Sequence, residues 1–270
     1  MFSNLTNCLK THKGGKMDYG LKGKIALVTG TASQVGMGKA ICLTLAREGC
    51  DIVSVDIDLE GAKQTAAAVK GLGRKAIALK ADVAKNSEVE EMAKAALKEF
   101  GKIDILVNNA GLNAGIGVPF MQSKEEIWQK DISVNLYGAM NCAKAVIPGM
   151  VEHKYGKIIN FSSIAAKSGY PSSYSSAKAA VLAFTRGLAT QFGPSGINVN
   201  AIAPAVVKTK FFAGIGESAN QMLEYAVADA PLRTIQTVED IANAVAFLAS
   251  DVSKNITGQC LQVNSGSLML

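Results

Sequence analysis

Tyr174 and Lys178 stand four residues apart in the segment YSSAK, a spacing that places two side chains on one face of a helix. A phenol beside an ammonium can exchange a proton with a bound ligand, because the positive charge favours the phenolate. The spacing alone is not specific, since a lysine-rich chain with six tyrosines produces it readily by chance. Its place gives it weight, because it follows closely on an apolar run that ends in Ser162 and Ser163.

Histidine, the usual proton carrier, offers no alternative to this tyrosine. The two histidines, His12 and His153, lie near none of the motifs described below, and no cluster of metal ligands is visible. Free tyrosine has a pKa of about 10, so proton transfer near neutral pH requires a shift of about 3 units, or roughly 4 kcal/mol. A nearby ammonium and a positively charged cofactor ring are charges that supply such a shift.

A second segment, TGTASQVGMGKAI, holds Gly30, Gly36 and Gly38 between an apolar run and a helical pattern. This spacing is neither the dinucleotide fingerprint G-x-G-x-x-G nor the phosphate loop G-x-x-x-x-G-K-[ST]. A helix N-terminus at this point attracts a pyrophosphate through its free N–H groups and its dipole. The segment is therefore predicted to bind a dinucleotide, and a glycine-rich turn without a ligand is the alternative.

Asp56 ends the next apolar run and strengthens the nucleotide interpretation. A carboxylate at this place accepts hydrogen bonds from both hydroxyl groups of an adenosine ribose, and it repels a 2′-phosphate. No arginine adjoins Asp56 in the sequence, so NAD is favoured over NADP as the cofactor. Asp56 as a cap of the following helix is the alternative, but a cap does not account for the glycines.

Composition argues against several classes of protein. The net charge is +6, but the lysines are spread along the chain and mixed with acids, unlike the basic patch of a nucleic-acid-binding protein. No apolar run reaches the roughly 18 residues of a membrane span. The five cysteines are scattered without paired spacing, which indicates a reducing, cytoplasmic compartment. Residues 1–20 lack the apolar core of a secretory signal and are predicted to form a disordered extension.

Short apolar runs alternate with longer amphipathic segments, which predicts a doubly wound α/β fold. The first strands are apolar throughout, as in a parallel sheet that helices cover on both faces. Residues 21–270 are predicted to form a single domain around a seven-stranded parallel sheet, the Rossmann fold. The predicted strands cover 25–30, 51–56, 75–82, 103–111, 156–163, 197–204 and 258–264. The predicted helices cover 37–48, 60–72, 87–100, 124–152, 173–193 and 238–250.

Residues 205–236 form a long segment between the sixth strand and the last helix. Long loops at the carboxyl ends of parallel strands build or cover ligand sites, so this segment is predicted to be a substrate loop. A helical excursion that packs on its own core is the alternative. The side chains that suggest an apolar pocket are Phe211, Phe212, Ile215 and Met222. The cations that could meet the phosphate of a thioester carrier are Lys208, Lys210 and Arg233.

From about Lys22 to the C-terminus, the order and spacing of these motifs resemble the short-chain dehydrogenase/reductase superfamily. The matching pieces are the glycine loop, ADV (81–83), NNAG (108–111), VNL (134–136), INFSS (159–163), YSSAK (174–178), NVNAIAP (198–204), EDIANAVAFLASD (239–251) and ITGQ (256–259). Several independent motifs in one order make the match specific. The resemblance implies a homotetramer in which the helices 124–152 and 173–193 lie between subunits.

The resemblance also implies a role for each site residue. Tyr174 corresponds to the general acid and base, and Lys178 to the residue that binds the nicotinamide ribose and favours the tyrosinate. Ser163 corresponds to the donor to the substrate oxygen. Asn135 corresponds to the residue that holds a water for proton relay, although it can also support its helix, and Asn108 has an architectural role. The positions that correspond to cofactor contacts are Gly30, Gly36, Met37, Gly38, Asp56, Asp82, Val83, Asn109, Tyr174, Lys178, Val207 and Thr209.

Four departures from the family pattern carry their own expectations. The glycine loop is two residues longer than usual, so the extra residues must bulge away from the phosphates or reshape the adenosine end. The gap between the serine and the tyrosine is about two residues shorter, which brings Tyr170 or Pro171 closer to the substrate. Pro204-Ala205 replaces proline-glycine and restricts the backbone near the nicotinamide. Residues 264–266, Asn-Ser-Gly, replace the usual DGG of a turn that often lies near subunit contacts.

Together these observations predict an NAD(H)-dependent oxidoreductase that interconverts a secondary alcohol and a ketone, with Tyr174 transferring the proton. One alternative is a reductase or dehydrogenase of 3-oxoacyl or 3-hydroxyacyl thioesters of coenzyme A or acyl carrier protein. Another, from a different class, is an NAD-binding partner protein without turnover. The expected partners are a small-molecule substrate and further copies of the chain, with no nucleic acid, membrane or metal.

Overall fold

The computed structural model describes residues 18–167, 169–207, 209 and 218–269. Residues 1–17 of the predicted extension 1–20 therefore lie outside the described residues. The backbone N–H of Asp251 donates to the carbonyl oxygen of Tyr19 over 2.9 Å, so the described start of the chain contacts the domain. Predictions that also lie outside the described residues are those for Lys208, Lys210, Phe211, Phe212, Ile215 and the side chain of Met222.

Seven parallel strands form one sheet, as predicted. The strands are β1 (Ile25–Thr29), β2 (Asp51–Asp56), β3 (Ala76–Lys80), β4 (Ile105–Asn108), β5 (Gly156–Phe161), β6 (Ile197–Pro204) and β7 (Cys260–Val263). Their order in the sheet is β3-β2-β1-β4-β5-β6-β7, and every pair of neighbours is parallel. The order reverses between β1 and β4, and open α/β sheets bind ligands beyond the carboxyl ends of the strands at such a point.

Helices cover both faces of the sheet and bury one apolar cluster on each. The helices are α1 (Met37–Arg47), α2 (Leu59–Gly71), α3 (Asn86–Phe100), α4 (Glu125–Ile132), α5 (Gly138–Glu152), α6 (Ser173–Phe192), α7 (Ser218–Asp229) and α8 (Val238–Ala249). Side chains of α1, α2 and α8 belong to one cluster, and those of α3, α5 and α6 to the other. In β1, Ala26 and Val28 join the first cluster while Ile25 and Leu27 join the second, which is the alternation of a strand.

The predicted helix 124–152 consists of α4, a π-helical turn over Ser133–Tyr137, and α5. A π turn widens the helical hydrogen-bond ladder by one residue, and such turns are frequent at functional sites. Here the side chain of Asn135 donates to the carbonyl oxygen of Asp131 over 2.8 Å. Hydrophobic periodicity does not reveal a one-residue change of this kind, so the pattern predicted a continuous helix.

A chain of buried polar side chains connects β4 and β5 to α6. Asn108 donates to Asn160 over 2.9 Å, and Asn160 donates to the hydroxyl of Thr185 over 3.0 Å. Thr185 in turn donates to the carbonyl oxygen of Val181 within α6 over 2.8 Å. Asn108 therefore has the architectural place that the sequence predicted for it.

The segment 205–236 is partly helical, because its second half contains α7. No helix among the described residues is long and apolar enough to cross a membrane. Within the same residues, no group of three or more His, Cys, Asp or Glu side chains could hold a metal ion.

Candidate active site

A cleft of about 710 Å³ lies at the carboxyl ends of the central strands. It brings together almost all of the residues that the sequence singled out. The predicted site residues that line it are Gly30, Gly36, Met37, Gly38, Asp56, Asn109, Asn135, Ser163, Tyr174, Lys178, Val207 and Thr209. Among the described residues, Asp82 and Val83 are the two predicted site residues that do not line the cleft.

At one end of the cleft, the glycine loop lets α1 approach β1 very closely. A Cβ atom on Gly38 would collide with the carbonyl group of Gly30, which itself has a φ of +74°. Asn109 holds the same turn, because its amide donates to the carbonyl oxygens of Thr29 and Gly30 over 2.8 and 2.9 Å. The helix begins after Gly36 without a side-chain cap, so its first N–H groups are free to bind an anion.

The glycine loop packs onto the start of α2, and whether its two extra residues bulge away from the phosphates or reshape the adenosine end stays a prediction. The Gln34 amide donates to the carbonyl oxygens of Ala32 and Gly61 over 2.8 and 3.1 Å. A Cβ atom on Gly61 would lie 2.5 Å from the Cβ of Ala32, so the loop packs directly on the start of α2. The loop therefore covers the end of β2.

Asp56 lies at this end of the cleft and does not cap α2. Its carboxylate accepts from the N–H of Ala32 over 2.8 Å and from that of Asp58 over 3.0 Å. The cap is Asp58, whose side chain accepts from the N–H groups of Glu60 and Gly61. The alternative reading of Asp56 as a helix cap is therefore wrong.

The residues present fit a dinucleotide. The free N–H groups of α1 suit a pyrophosphate, and the carboxylate of Asp56 suits ribose hydroxyls. Ser33 and Asn109 also line the cleft, and each has a buried oxygen atom, Oγ and Oδ1, without a hydrogen-bond partner among the described residues. Buried polar atoms in native proteins are normally paired, so these two indicate places that a polar ligand would occupy.

Asp82 and Val83 follow β3, away from the described lining of the cleft. The Asp82 carboxylate accepts from the N–H of Ala84 over 3.0 Å, and Lys85 lies 3.8 Å away. Val83 is buried, and its carbonyl oxygen accepts from Asn141 over 2.9 Å. These contacts shape the loop after β3, and a role of either residue toward the cofactor stays a prediction.

At the other end of the cleft, α6 presents Tyr174 and Lys178. The helix begins at Ser173, after Ser172, whose hydroxyl accepts from the N–H of Ser175 over 3.0 Å. Tyr174 lies in the first turn and forms a hydrogen bond with the side chain of Ser163. Lys178 is buried one turn later, with its Nζ 5.7 Å from the centre of the tyrosine ring.

The end of β5 holds this part of α6 in place. Lys178 Nζ donates to the carbonyl oxygen of Phe161 over 2.8 Å. The hydroxyl of Ser162 donates to the carbonyl oxygen of Lys178 over 2.9 Å. These contacts place the next residue, Ser163, within hydrogen-bonding distance of the Tyr174 side chain. Its own Oγ also accepts from the N–H of Ala165 over 3.1 Å.

Burial shifts the pKa values of both groups on α6. It raises the pKa of Tyr174 to about 12; the hydrogen bond with Ser163 acts to lower that pKa, and the charge of Asp131 acts to raise it. Burial also lowers the pKa of Lys178 to about 8, and the charge of Asp131 opposes this change. In the chain alone, Tyr174 is therefore a protonated phenol at neutral pH, and Lys178 is still mainly an ammonium.

Asn135 lies in the π turn, and its amide is fully engaged with the backbone. Its Nδ2 donates to the carbonyl oxygens of Leu112 and Asp131 over 2.7 and 2.8 Å, and its Oδ1 accepts from the Leu112 N–H over 3.3 Å. A Cβ atom on Gly111 would lie 2.9 Å from this Oδ1 and 3.4 Å from Lys178 Nζ. Asn135 thus supports its helix, as the alternative reading expected, and also holds the loop that passes over Lys178.

Two departures from the family pattern also reach the cleft. Tyr170 lines it from the short segment between Ser163 and Tyr174, with 54% of its surface exposed. Pro204 ends β6 and lines the cleft together with Ala205. Arg233, one of the three cations considered for a thioester carrier, does not line the cleft, and its guanidinium donates to the carbonyl oxygen of Ala228.

Sequence reasoning missed Asp131 and Ser173, which contact each other beside this site. Asp131 is buried, and its Oδ2 accepts from the hydroxyl of Ser173 over 2.6 Å. The signal was present, because Asp131 precedes Asn135 by four residues and so shares its helix face. Ser173 gave no signal beyond its place next to Tyr174.

Comparison with known proteins finds relatives along nearly the whole chain. A family model described as enoyl-(acyl carrier protein) reductase matches residues 30–267. A 3-oxoacyl-[acyl-carrier-protein] reductase, FabG, of Staphylococcus epidermidis is 40% identical over 253 residues, or 91% of this chain and 99% of the relative. The subunit BbsD of (2S)-[(R)-hydroxy(phenyl)methyl]succinyl-CoA dehydrogenase of Thauera aromatica is 38% identical over 248 residues, or 92% of this chain and 97% of the relative.

Solved structures match over a similar length. A candidate short-chain alcohol dehydrogenase from Sinorhizobium meliloti 1021 superposes with a TM-score of 0.87 at 34% identity, covering 93% of this chain and 98% of that one. A candidate gluconate dehydrogenase from Agrobacterium tumefaciens gives a TM-score of 0.87 at 29% identity, covering 94% and 100%. The fold is therefore shared over nearly the whole of this chain.

The contact between Gly38 and Gly30 leads to a test of the dinucleotide end. Gly38→Ala should weaken binding of NADH by about tenfold or more, which corresponds to at least roughly 1.4 kcal/mol, because the methyl group pushes α1 away from the turn. Fluorescence titration with NADH measures the change. Gly71→Ala is the matched control, since no atom lies within 4 Å of its added Cβ. Equal NADH affinity of Gly38→Ala and the unaltered chain would contradict the assignment.

Proposed function

The chain belongs to the short-chain dehydrogenase/reductase family, and we propose that it is an NAD(H)-dependent oxidoreductase that interconverts a secondary alcohol and a ketone. One observation carries the proposal. A single cleft joins a glycine turn and Asp56 at one end to Tyr174 and Lys178 at the other, with Ser163 hydrogen-bonded to the tyrosine. A nucleotide site and a proton-transfer site in one cleft suit hydride exchange between a nicotinamide and a small carbonyl compound.

Tyr174 transfers the proton in this proposal. Because burial raises its pKa to about 12, the tyrosine carries its proton in the chain alone and is ready to donate to a ketone oxygen. In the oxidation direction Tyr174 must become a phenolate. The ammonium of Lys178, one turn along the same helix, is then the positive charge beside the phenolate. Ser163 already bonds the tyrosine, so a substrate oxygen held by both hydroxyls is oriented for proton transfer.

The residues that would hold the cofactor are the glycine turn, Asp56 and Asn109 at the adenosine side, and Lys178, Val207 and Thr209 at the nicotinamide side. When bound, the nicotinamide supplies the carbon that gives or accepts the hydride. The Asp56 carboxylate favours ribose hydroxyls over a 2′-phosphate, which supports NAD over NADP. The lysine that contacts the glycine loop, Lys39, donates from its Nζ to Gln34 over 2.7 Å, and no salt bridge among the described residues joins it to Asp56.

The second candidate function is reduction of a 3-oxoacyl thioester or oxidation of a 3-hydroxyacyl thioester. The names of two relatives favour it, one with an acyl-carrier-protein substrate and one with a coenzyme A substrate. The described substrate end of the cleft also suits an acyl chain, since Ile116, Ile164 and Val206 line it. Arg233 gives little support to a site for the phosphate of a thioester carrier, because it is exposed to solvent and does not line the cleft.

A homotetramer forms part of the proposal. Tyr137, Met140 and Val151 are exposed by 52%, 41% and 38%, although each is large and apolar. Their spacing of three and eleven residues places them on one face of the π turn and α5. Exposed apolar side chains aligned on one face support a subunit contact there.

Light scattering on the purified chain measures the number of subunits. We expect the mass of four chains at micromolar concentration, and replacing Met140 with Glu should reduce the mass, because a charge would enter the apolar contact. A mass equal to one chain for the unaltered protein would contradict the proposal.

Tyr174→Phe tests the chemistry. NADH formation from NAD should fall by about 10²–10⁴-fold on every active substrate, because the proton carrier is lost, while NADH still binds. The panel contains secondary alcohols and 3-hydroxyacyl-coenzyme A thioesters, so the best substrate separates the two candidate functions. Tyr155→Phe is the control, since its hydroxyl donates to Asp251 at the amino end of the sheet. Full turnover in Tyr174→Phe, or tight NADH binding without turnover by the unaltered chain, would point to a different role.

Asp56→Asn tests the choice of cofactor. The ratio of kcat/KM with NAD to kcat/KM with NADP should fall by about tenfold or more, since the substitution removes the charge that repels a 2′-phosphate. Asp58→Asn is the matched control, because asparagine caps a helix about as well as aspartate. If the unaltered chain prefers NADP, or if the ratio is the same in both variants, Asp56 does not select the cofactor.

A further inference from the structure

Asp131 is a buried carboxylate without a described counterion. The residue is 0% exposed, and none of the salt bridges among the described residues includes it. A charge taken out of water in this way costs several kcal/mol unless hydrogen bonds or a nearby charge compensate. Its surroundings therefore show what the carboxylate does.

The two oxygen atoms of Asp131 connect two elements of the active site. Oδ1 accepts from the backbone N–H of Ala114 over 2.8 Å, in the loop that follows β4. Oδ2 accepts from the hydroxyl of Ser173 over 2.6 Å, a short distance that is typical of a hydrogen bond to a charged group. Ser173 is the first residue of α6 and directly precedes Tyr174. The carboxylate thus ties the start of the catalytic helix to the loop.

Asn135 holds the same loop one turn further along the helix. It binds both the N–H and the carbonyl oxygen of Leu112. The loop is therefore fixed at two points by neighbouring residues of one helix face. Asp131 differs from Asn135 in that it also reaches α6, so among these contacts it alone joins the three elements.

The charge of Asp131 acts on both groups that the proposed reaction uses. It disfavours the phenolate of Tyr174 and favours the ammonium of Lys178, against the effect of burial in the case of the lysine. The loop 112–114 contributes no titratable side chain, and the neighbouring Lys130 on α4 is exposed to solvent. Tyr174 and Lys178 on α6 are therefore the titratable groups that face the carboxylate from the elements packed against it.

We propose that Asp131 is a positioning residue for the reaction proposed above: it fixes the start of α6 against the loop after β4 and places a negative charge that favours the ammonium of Lys178. The inference rests on the proposed function for its catalytic meaning. Its electrostatic part concerns this chain's own side chains and needs no substrate to be tested.

The experiment compares Asp131→Asn with the unaltered full chain by ¹³C NMR of lysines labelled at Cε. The signal of Lys178 is identified by its loss in Lys178→Met. Its titration midpoint should be lower by roughly one pH unit in Asp131→Asn than in the unaltered chain, because the charge of Asp131 favours the ammonium. Asp104→Asn is the matched control, because Asp104 is also buried but binds the Ile25 N–H at the amino end of the sheet. An unchanged midpoint in Asp131→Asn would overturn the proposal.

Ser173→Ala separates position from charge and serves if Asp131→Asn does not fold. It removes the hydrogen bond to α6 but keeps the carboxylate, so the Lys178 midpoint should stay the same while kcat falls about tenfold with NADH affinity unchanged. An unchanged kcat would refute the positioning role. If the unaltered chain shows no turnover on the panel, the proposed function fails, and the Lys178 titrations in Asp131→Asn and Ser173→Ala then decide this inference alone.

Discussion

The ammonium of Lys178 lies inside the protein, with only 4% of the residue exposed, and the reaction end of the cleft is arranged around it. A buried ammonium is costly unless its donors are satisfied and a negative charge is near. The carbonyl oxygen of Phe161 satisfies one donor, and Asp131 supplies the charge. Because Phe161 ends β5, the lysine can be accommodated only when α6 lies against that strand end. The same alignment brings Ser163 to Tyr174.

The two ends of the cleft are built by different parts of the sheet. β1 and β2 carry the glycine turn and Asp56, whereas β4, β5 and β6 carry the residues around Tyr174. This separation explains how the glycine loop tolerates two additional residues. The loop folds onto the start of α2 through Gln34, at the adenosine end, and the hydrogen bonds around Lys178 involve other segments. Variation at one end need not disturb the chemistry at the other.

The sequence predicted the fold and the strand positions, and twelve of the fourteen site residues that it predicted line the cleft. These features leave local marks, namely apolar runs, glycines and polar residues at strand ends. The π turn was not predicted, because a one-residue widening leaves little trace in hydrophobic periodicity. A helix within 205–236 was expected only as the alternative to a substrate loop, and α7 lies there. Asp131 was missed for another reason. Its spacing from Asn135 places it on the same helix face, but its contacts with Ala114 and Ser173, seventeen and forty-two residues away, leave no local pattern in the sequence.

The buried chain from Asn108 through Asn160 to Thr185 determines how α6 is rotated about its own axis. Apolar contacts have little directional preference, so a helix held by them alone can turn or slide by small amounts at low cost. A slip of one residue would move Tyr174 by about 1.5 Å and rotate it by about 100°. The hydrogen bond from the Asn160 amide to the Thr185 hydroxyl, 3.0 Å long, forms only when α6 presents Thr185 toward β5. The position of Tyr174 therefore depends also on side chains that lie three helical turns away and are not part of the described lining of the cleft.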